Sequence, residues 1–149
     1  MGVEKGMVDI SEKEVVEREA EAKGKIKLDK NTLQAIDQKK IKKGDPFEAA
    51  KISAINAVKN TPDLLPYCHP IPVEGVDISF DVGEEYIEMR CRVKAPYKTG
   101  VEMEALTGVS VGLLTIWDMV KYLEKDEIGQ YPSTRITDIE VVEKIKKSE

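Results

Sequence analysis

Three places in the chain hold residues able to move a proton or hold a phosphate. Asp118 and Lys121 in "WDMVK" stand three residues apart, so on a helix they share a face. Such a pair can act as an acid/base couple when burial and proximity perturb both groups. The same spacing also makes an ordinary ion pair near a helix end. Glu104, Thr107, Gly108, Val111, Thr115 and Asp118 recur on one face of a 3.6-residue period, a thin polar line on an otherwise apolar helix. A carboxylate buried there needs a cationic partner, and Lys121 is the local one.

Lys43 precedes Gly44 at the start of another helix, where free backbone N–H groups and an ammonium together suit a phosphate. Asp45 at the cap opposes that, and no G-x-x-x-x-G-K-[ST] stretch exists. A phosphate would instead meet lysines from several segments: Lys43, Lys59, Lys98 and Lys121.

His69, the sole histidine, lies in "LLPYCHPIP" among Pro66, Pro70 and Pro72. Each proline biases the residue before it away from helix, which predicts a stiff extended connector. Cys68 and His69 then point to opposite faces and make a poor nucleophile–base pair. With Cys91 the only other cysteine, a zinc site lacks ligands. A connector with an incidentally exposed histidine accounts for the segment equally well.

These residues need elements to hold them. The chain has 149 residues, 34% of them charged, and a net charge of −5. One domain over 1–149 is expected, with the polar opening "MGVEKGMVDISEKE" and the closing "EKIKKSE" loosely held and without chemistry, and residues 1–7 and 144–149 flexible. The acidic balance argues against general binding to nucleic acid or anionic membrane. With neither a signal peptide nor an unbroken apolar run long enough to span a bilayer, the reading is cytoplasmic. Two cysteines make no disulfide framework; a Cys68–Cys91 bond is the one pairing available.

"VVEREAEAKGKIKL" alternates as a strand, broken in phase by Arg18, and "NTLQAIDQ" suits a short helix. "GDPFEAAKISAINAVKN" is a helix with Asp45 as N-cap, Pro46 in its first position and Phe47, Ala50, Ala54, Ile55 and Val58 turned inward. Val76–Val82 and Ile87–Val93 alternate about "GEE" as a hairpin, with Cys91 in the apolar phase. "TGVEMEALTGVSVGLLTIWDMVKYLEKD" starts from a Thr99/Glu102 capping box. Between Ala105 and Met119 its only charge is Asp118, so its outer face requires a cover, most simply another subunit. "TRITDIEVV" is a last strand. The order β-α-β-β-α-β is the split βαβ of a two-layer, ferredoxin-like α+β sandwich.

For the aromatic stacking residues of an RNA-binding module, "YIEMRCRV" offers only Tyr86 near one end. A small-molecule regulatory domain would explain the apolar helix but neither Asp118–Lys121 nor the Cys-His-Pro connector.

"PYCHPIP", "KTGVEMEALTGVSVGLLTIWDMVK" and "KKGDPFEAAKISAINAVKNTPDLLP" together closely resemble the molybdenum cofactor biosynthesis protein C family, the cyclic pyranopterin monophosphate synthases. The likeness runs from about Met7, at "MVDIS", to about Gly129. It implies a lyase that converts 3',8-cyclo-7,8-dihydroguanosine 5'-triphosphate, a cyclised GTP derivative, to cyclic pyranopterin monophosphate and releases pyrophosphate. By the same resemblance Asp118, Lys121, Lys43 and His69 are catalytic, while Tyr67, Cys68, His69, Glu102, Met103 and Glu104 bind substrate. Cys68 would serve through backbone and packing. No metal site and no organic cofactor are implied, and a Mg²⁺ ion travelling with the triphosphate is left open. The family pattern further implies sites at dimer interfaces of a homohexamer, a trimer of dimers. The segment "GQYPSTRITDIEVVEK" departs from the glycine- and lysine-bearing C-terminal stretch of many bacterial relatives, so no phosphate-binding lysine is carried over there.

Overall fold

The computed structural model describes residues 6–147. Strand β1 (Val16–Lys27) leads to helices α1 (Lys30–Asp37), α2 (Pro46–Lys59) and the single turn α3 (Thr61–Leu64). A hairpin of β2 (Gly75–Val82) and β3 (Tyr86–Tyr97), the long helix α4 (Glu102–Glu124) and strand β4 (Arg135–Lys147) follow. All strand pairs are antiparallel, and the sheet order is β2-β3-β1-β4. This is the ferredoxin-like α+β sandwich expected from the sequence, with both long helices on one face of the sheet.

Alternation decides which face of the sheet is covered. On β1, Ala20, Ala22 and Ile26 are buried beneath the helices, and β3 adds Ile87, Met89, Cys91 and Val93. Their outward neighbours form an ion-pair lattice in which Arg90 meets Glu21 and Glu88 while Arg92 meets Glu19, Glu21 and Glu143. Cys91 is a core thiol whose pKa burial raises to about 12, and both Cys68 and Cys91 are free.

The two long helices pack through small residues. A Cβ on Gly108 would fall 2.9 Å from Val58 and Cys91, and one on Gly112 would clash with the Met89 side chain. Both glycines lie close to α2 backbone at Ala54 and Ala50, which are themselves fully buried. This contact holds α4 in the core by its inner face. Among the described residues α4 has the length and hydropathy to cross a bilayer, yet half of that window is buried inside the fold. Its C-terminal end is clamped by Glu124, a buried carboxylate that accepts from the Asp29 N–H and from the Thr32 and Thr134 hydroxyls.

Several local expectations are corrected. The N-cap of α4 is Val101, with no side-chain bond, so Thr99 and Glu102 form no capping box. Glu102 is instead the first helical residue. The connector is not extended throughout: the Cys68 N–H donates to the Leu65 carbonyl in a turn, with Pro66 in the position its fixed φ suits. From His69 to Glu74 the chain belongs to no helix or strand, and the Val73 N–H donates to the Ile71 carbonyl in a second tight turn about Pro72. The expected loose C-terminus is strand as far as Lys147, because Lys144, Lys146 and Lys147 pair with β1. Residues 1–5 and 148–149, at the ends expected to be loose, lie outside the described residues.

Candidate active site

A cavity of ≈ 390 Å³ opens at the N-terminal end of α4. Tyr67, Cys68, His69, Glu102, Met103 and Glu104 all line it, so the six residues named from the sequence for substrate binding converge in one chain. The turn at Leu65–Cys68 brings the connector against the first turn of α4, which explains how segments more than thirty residues apart meet.

Glu104 is only 2% exposed. Desolvation raises its pKa to about 7, partly offset by its own backbone N–H and reinforced by the neighbouring charge of Glu102. Burial also pushes Glu102 upward, but its own N–H and the Lys144 ammonium, 2.9 Å away, outweigh it and leave the group below the ordinary range. The two carboxylates therefore differ: Glu102 is ionised and Glu104 exchanges a proton near neutrality. Burial, with some help from Glu104, raises the Cys68 thiol. That disfavours thiolate chemistry.

The segment before β1 also belongs to the cavity, against expectation. Val8, Asp9, Ile10 and Lys13 line it, and His69 Nε2 donates to the Val8 carbonyl at 2.7 Å. Lys98 donates to the Ser11 carbonyl at 3.5 Å from the other side. No periodicity marks these residues; the signal available was the resemblance beginning at Met7. Arg18 is a further omission. It stands in the inward phase of β1, 7% exposed, and donates to the Tyr97 and Lys98 carbonyls, which holds the loop carrying Thr99 and Gly100 in the cavity wall. A lone charge in the apolar phase of a strand was the sign of it.

Asp118, Lys121 and Lys43 form a second cluster. Asp118 Oδ2 lies 3.1 Å from Lys43 Nζ and Oδ1 lies 3.1 Å from Lys121 Nζ. The sequence assigned Asp118 a local partner; the structure adds Lys43. The expectation that Asp118 is buried is corrected, since 57% of its side chain is exposed in the single chain. Its pKa is lowered, first by the hydrogen bond from Lys43 and then by that from Lys121. Lys59, at the far end of α2, and Lys98, beside the cavity, do not join this cluster.

The two clusters do not meet within one chain. Fourteen residues of helix separate Glu104 from Asp118, about 21 Å at 1.5 Å per residue. The outer face of α4 exposes Met103 at its start and Leu114 between the two clusters, and Leu114 and Trp117 border a shallow recess with Asp118 and Lys121. Among the described residues no group of three His, Cys, Asp or Glu side chains is arranged to hold a metal ion.

A family profile fits the same span. The MoaC family matches residues 7–147, from the segment over the cavity to the end of β4. The chain belongs to the MoaC family. Curated relatives with the name "Probable cyclic pyranopterin monophosphate synthase" agree over nearly the whole length. The Thermococcus kodakarensis protein is 62% identical over 98% of this chain and 95% of its own. The Pyrococcus abyssi protein is 63% identical over 96% and 91%, and that of Thermoplasma acidophilum 55% identical over 94% and 98%. As a MoaC family member, the chain places every residue named from the resemblance in one of the two clusters.

Proposed function

We propose that this chain is a cyclic pyranopterin monophosphate synthase, a lyase of molybdenum cofactor biosynthesis that converts the cyclised GTP-derived triphosphate to the cyclic monophosphate and releases pyrophosphate. The observation that carries the reading is the convergence of Tyr67, Cys68, His69, Glu102, Met103 and Glu104 on one cavity in a MoaC family chain.

Forming a cyclic monophosphate from a triphosphate requires an oxygen of the same molecule to attack the α-phosphorus. The bond from that phosphorus to the bridging oxygen breaks, pyrophosphate takes the electron pair, and the attacking hydroxyl gives up a proton. The cavity and the lysine cluster suit opposite ends of such a substrate. Glu102 and Glu104 face a base rich in N–H donors, while Lys43 and Lys121 supply positive charge for the departing phosphates. Asp118, held ionised between two ammonium groups, accepts a proton and orients both lysines. His69, on the connector, contacts the substrate at the cavity mouth.

The two halves of the site come from two subunits. A two-fold axis crossing the outer face of α4 near Val111, midway between Glu104 and Asp118, sets two α4 helices antiparallel and brings Asp118 of one chain to the cavity of the other. The same packing covers Met103 and Leu114 and encloses a charged substrate away from water. A homohexamer built as a trimer of dimers and a cytoplasmic location belong to this reading. The reaction needs no organic cofactor, and turnover with and without Mg²⁺ tests whether the ion accompanies the triphosphate. Purified protein incubated with the cyclised GTP triphosphate should release pyrophosphate in step with product. Absence of both from folded protein defeats the reading.

A further inference from the structure

We infer that Tyr122 is a positioning residue for Lys43: its hydroxyl holds the backbone of the α1–α2 connector so that the Lys43 ammonium is set against Asp118. The inference rests on the proposed roles of Lys43 and Asp118, and concerns a residue to which neither the motifs nor those roles give a part.

The connector from Gln38 to Asp45 reverses the chain at two points with left-handed backbone, Lys39 (φ 58°) and Gly44 (φ 117°). Between them Ile41 is buried and anchors the inner side. The Lys42 N–H donates to the Tyr122 hydroxyl at 3.0 Å, and the Lys42 ammonium stands 5.0 Å from the centre of the Tyr122 ring. The next residue, Lys43, donates to the Asp118 carboxylate at 3.1 Å and to the Asp118 carbonyl at 3.4 Å. Asp118 and Tyr122 are one helical turn apart, so the last turns of α4 receive two consecutive connector residues, one by its backbone and one by its side chain.

A lysine side chain on a mobile connector samples many positions, and ordering it costs conformational entropy. Tyr122 lowers that cost by fixing the backbone one residue away. Its position suits this purpose better than it suits packing, since the residue is 36% exposed. Removing the hydroxyl leaves the ring, its contact with the Lys42 ammonium and the helix unchanged.

The test compares Tyr122→Phe with Lys43→Ala in the full chain, reading kcat, KM, melting temperature and the Asp118 carboxylate titration by NMR. Tyr122→Phe should lower kcat roughly tenfold at an unchanged melting temperature, because small misplacements of a charge-stabilising group are costly. The Asp118 titration should move upward toward the ordinary aspartate value as the Lys43 bond loosens. Wild-type kcat and titration in Tyr122→Phe, beside an impaired Lys43→Ala, overturn the inference and leave the proposed function standing. A fall in melting temperature with kcat per folded molecule and titration unmoved also overturns it, because that is a structural role alone. A normal Lys43→Ala enzyme defeats the catalytic role of Lys43 itself, and the Asp118 titration in Tyr122→Phe still decides whether Tyr122 positions it.

Discussion

Lys43 and Asp118 are 75 residues apart in the chain and 3.1 Å apart in the fold. They meet because α2 and α4 pack at Gly108 and Gly112, so the connector ahead of α2 lies over the last turns of α4. Lys121 completes the cluster from the helix itself.

Asp118→Asn should reduce kcat by about 10²–10⁴-fold, the range for loss of a general acid or base. The substitution keeps shape and breaks only exposed ion pairs, so the melting curve should stay close to that of the parent. Steady-state turnover with a thermal melt on the same sample checks both; near-normal kcat removes Asp118 from the proton transfer.

Lys43→Ala should lower kcat by about 10²–10³-fold, comparable to deletion of one group that stabilises transition-state charge. Single-turnover measurement separates the chemical step from substrate binding. If both are normal, Lys43 is part of a solvated basic run.

His69→Ala should cost activity and leave stability within about 0.5 kcal/mol, since the half-buried ring lies outside the core. The histidine loses one bond to the Val8 carbonyl. A large drop in denaturation midpoint with turnover retained would make His69 a structural tie.

Glu104→Gln should stabilise the protein more at pH 8 than at pH 5. The folded-state pKa of Glu104, about 7, lies above the ordinary glutamate value of 4.5. Between those values the folded state binds more protons than the unfolded one. Stability therefore declines as pH rises through that window, and the amide, which never ionises, escapes the penalty. Equal gains at both pH values in denaturant titrations would contradict the raised carboxyl.

Inactive His69→Ala chains mixed with inactive Asp118→Ala chains, after dissociation and reassembly, should recover part of the activity if the two residues act across a subunit boundary. A fully active monomer at assay concentration, measured by sedimentation under turnover, would refute a site shared between subunits.

Much of the architecture was legible because its signals are local. Asp45 followed by Pro46 starts α2 where expected, and the Asp45 carboxylate accepts the Phe47 N–H. The alternation along β3 puts Cys91 in the core. Strand and helix order alone led to the split βαβ sandwich, and the low charge of α4 showed that a helix on one face of a sheet would expose apolar surface. The motif residues Tyr67 to His69 and Glu102 to Glu104 could be named, yet nothing in their spacing shows that they border one cavity.

The tertiary structure alone decided the long-range relations. Arg18 looks like an error in the pattern of β1 until the carbonyls of Tyr97 and Lys98 are seen to need its donors. Val8 and Asp9 carry no periodicity, and the place of their segment over the cavity depends on His69 reaching the Val8 carbonyl and Lys98 the Ser11 carbonyl. Lys144 meets Glu102 only because β4 continues along β1 past the point where its apolar alternation fades. Propensities, caps and turns act over a few residues, whereas partners 42 to 87 positions apart are selected by the packing of the whole sheet against two helices. That packing joins Lys43 to Asp118 and keeps both, by the length of α4, away from Glu104.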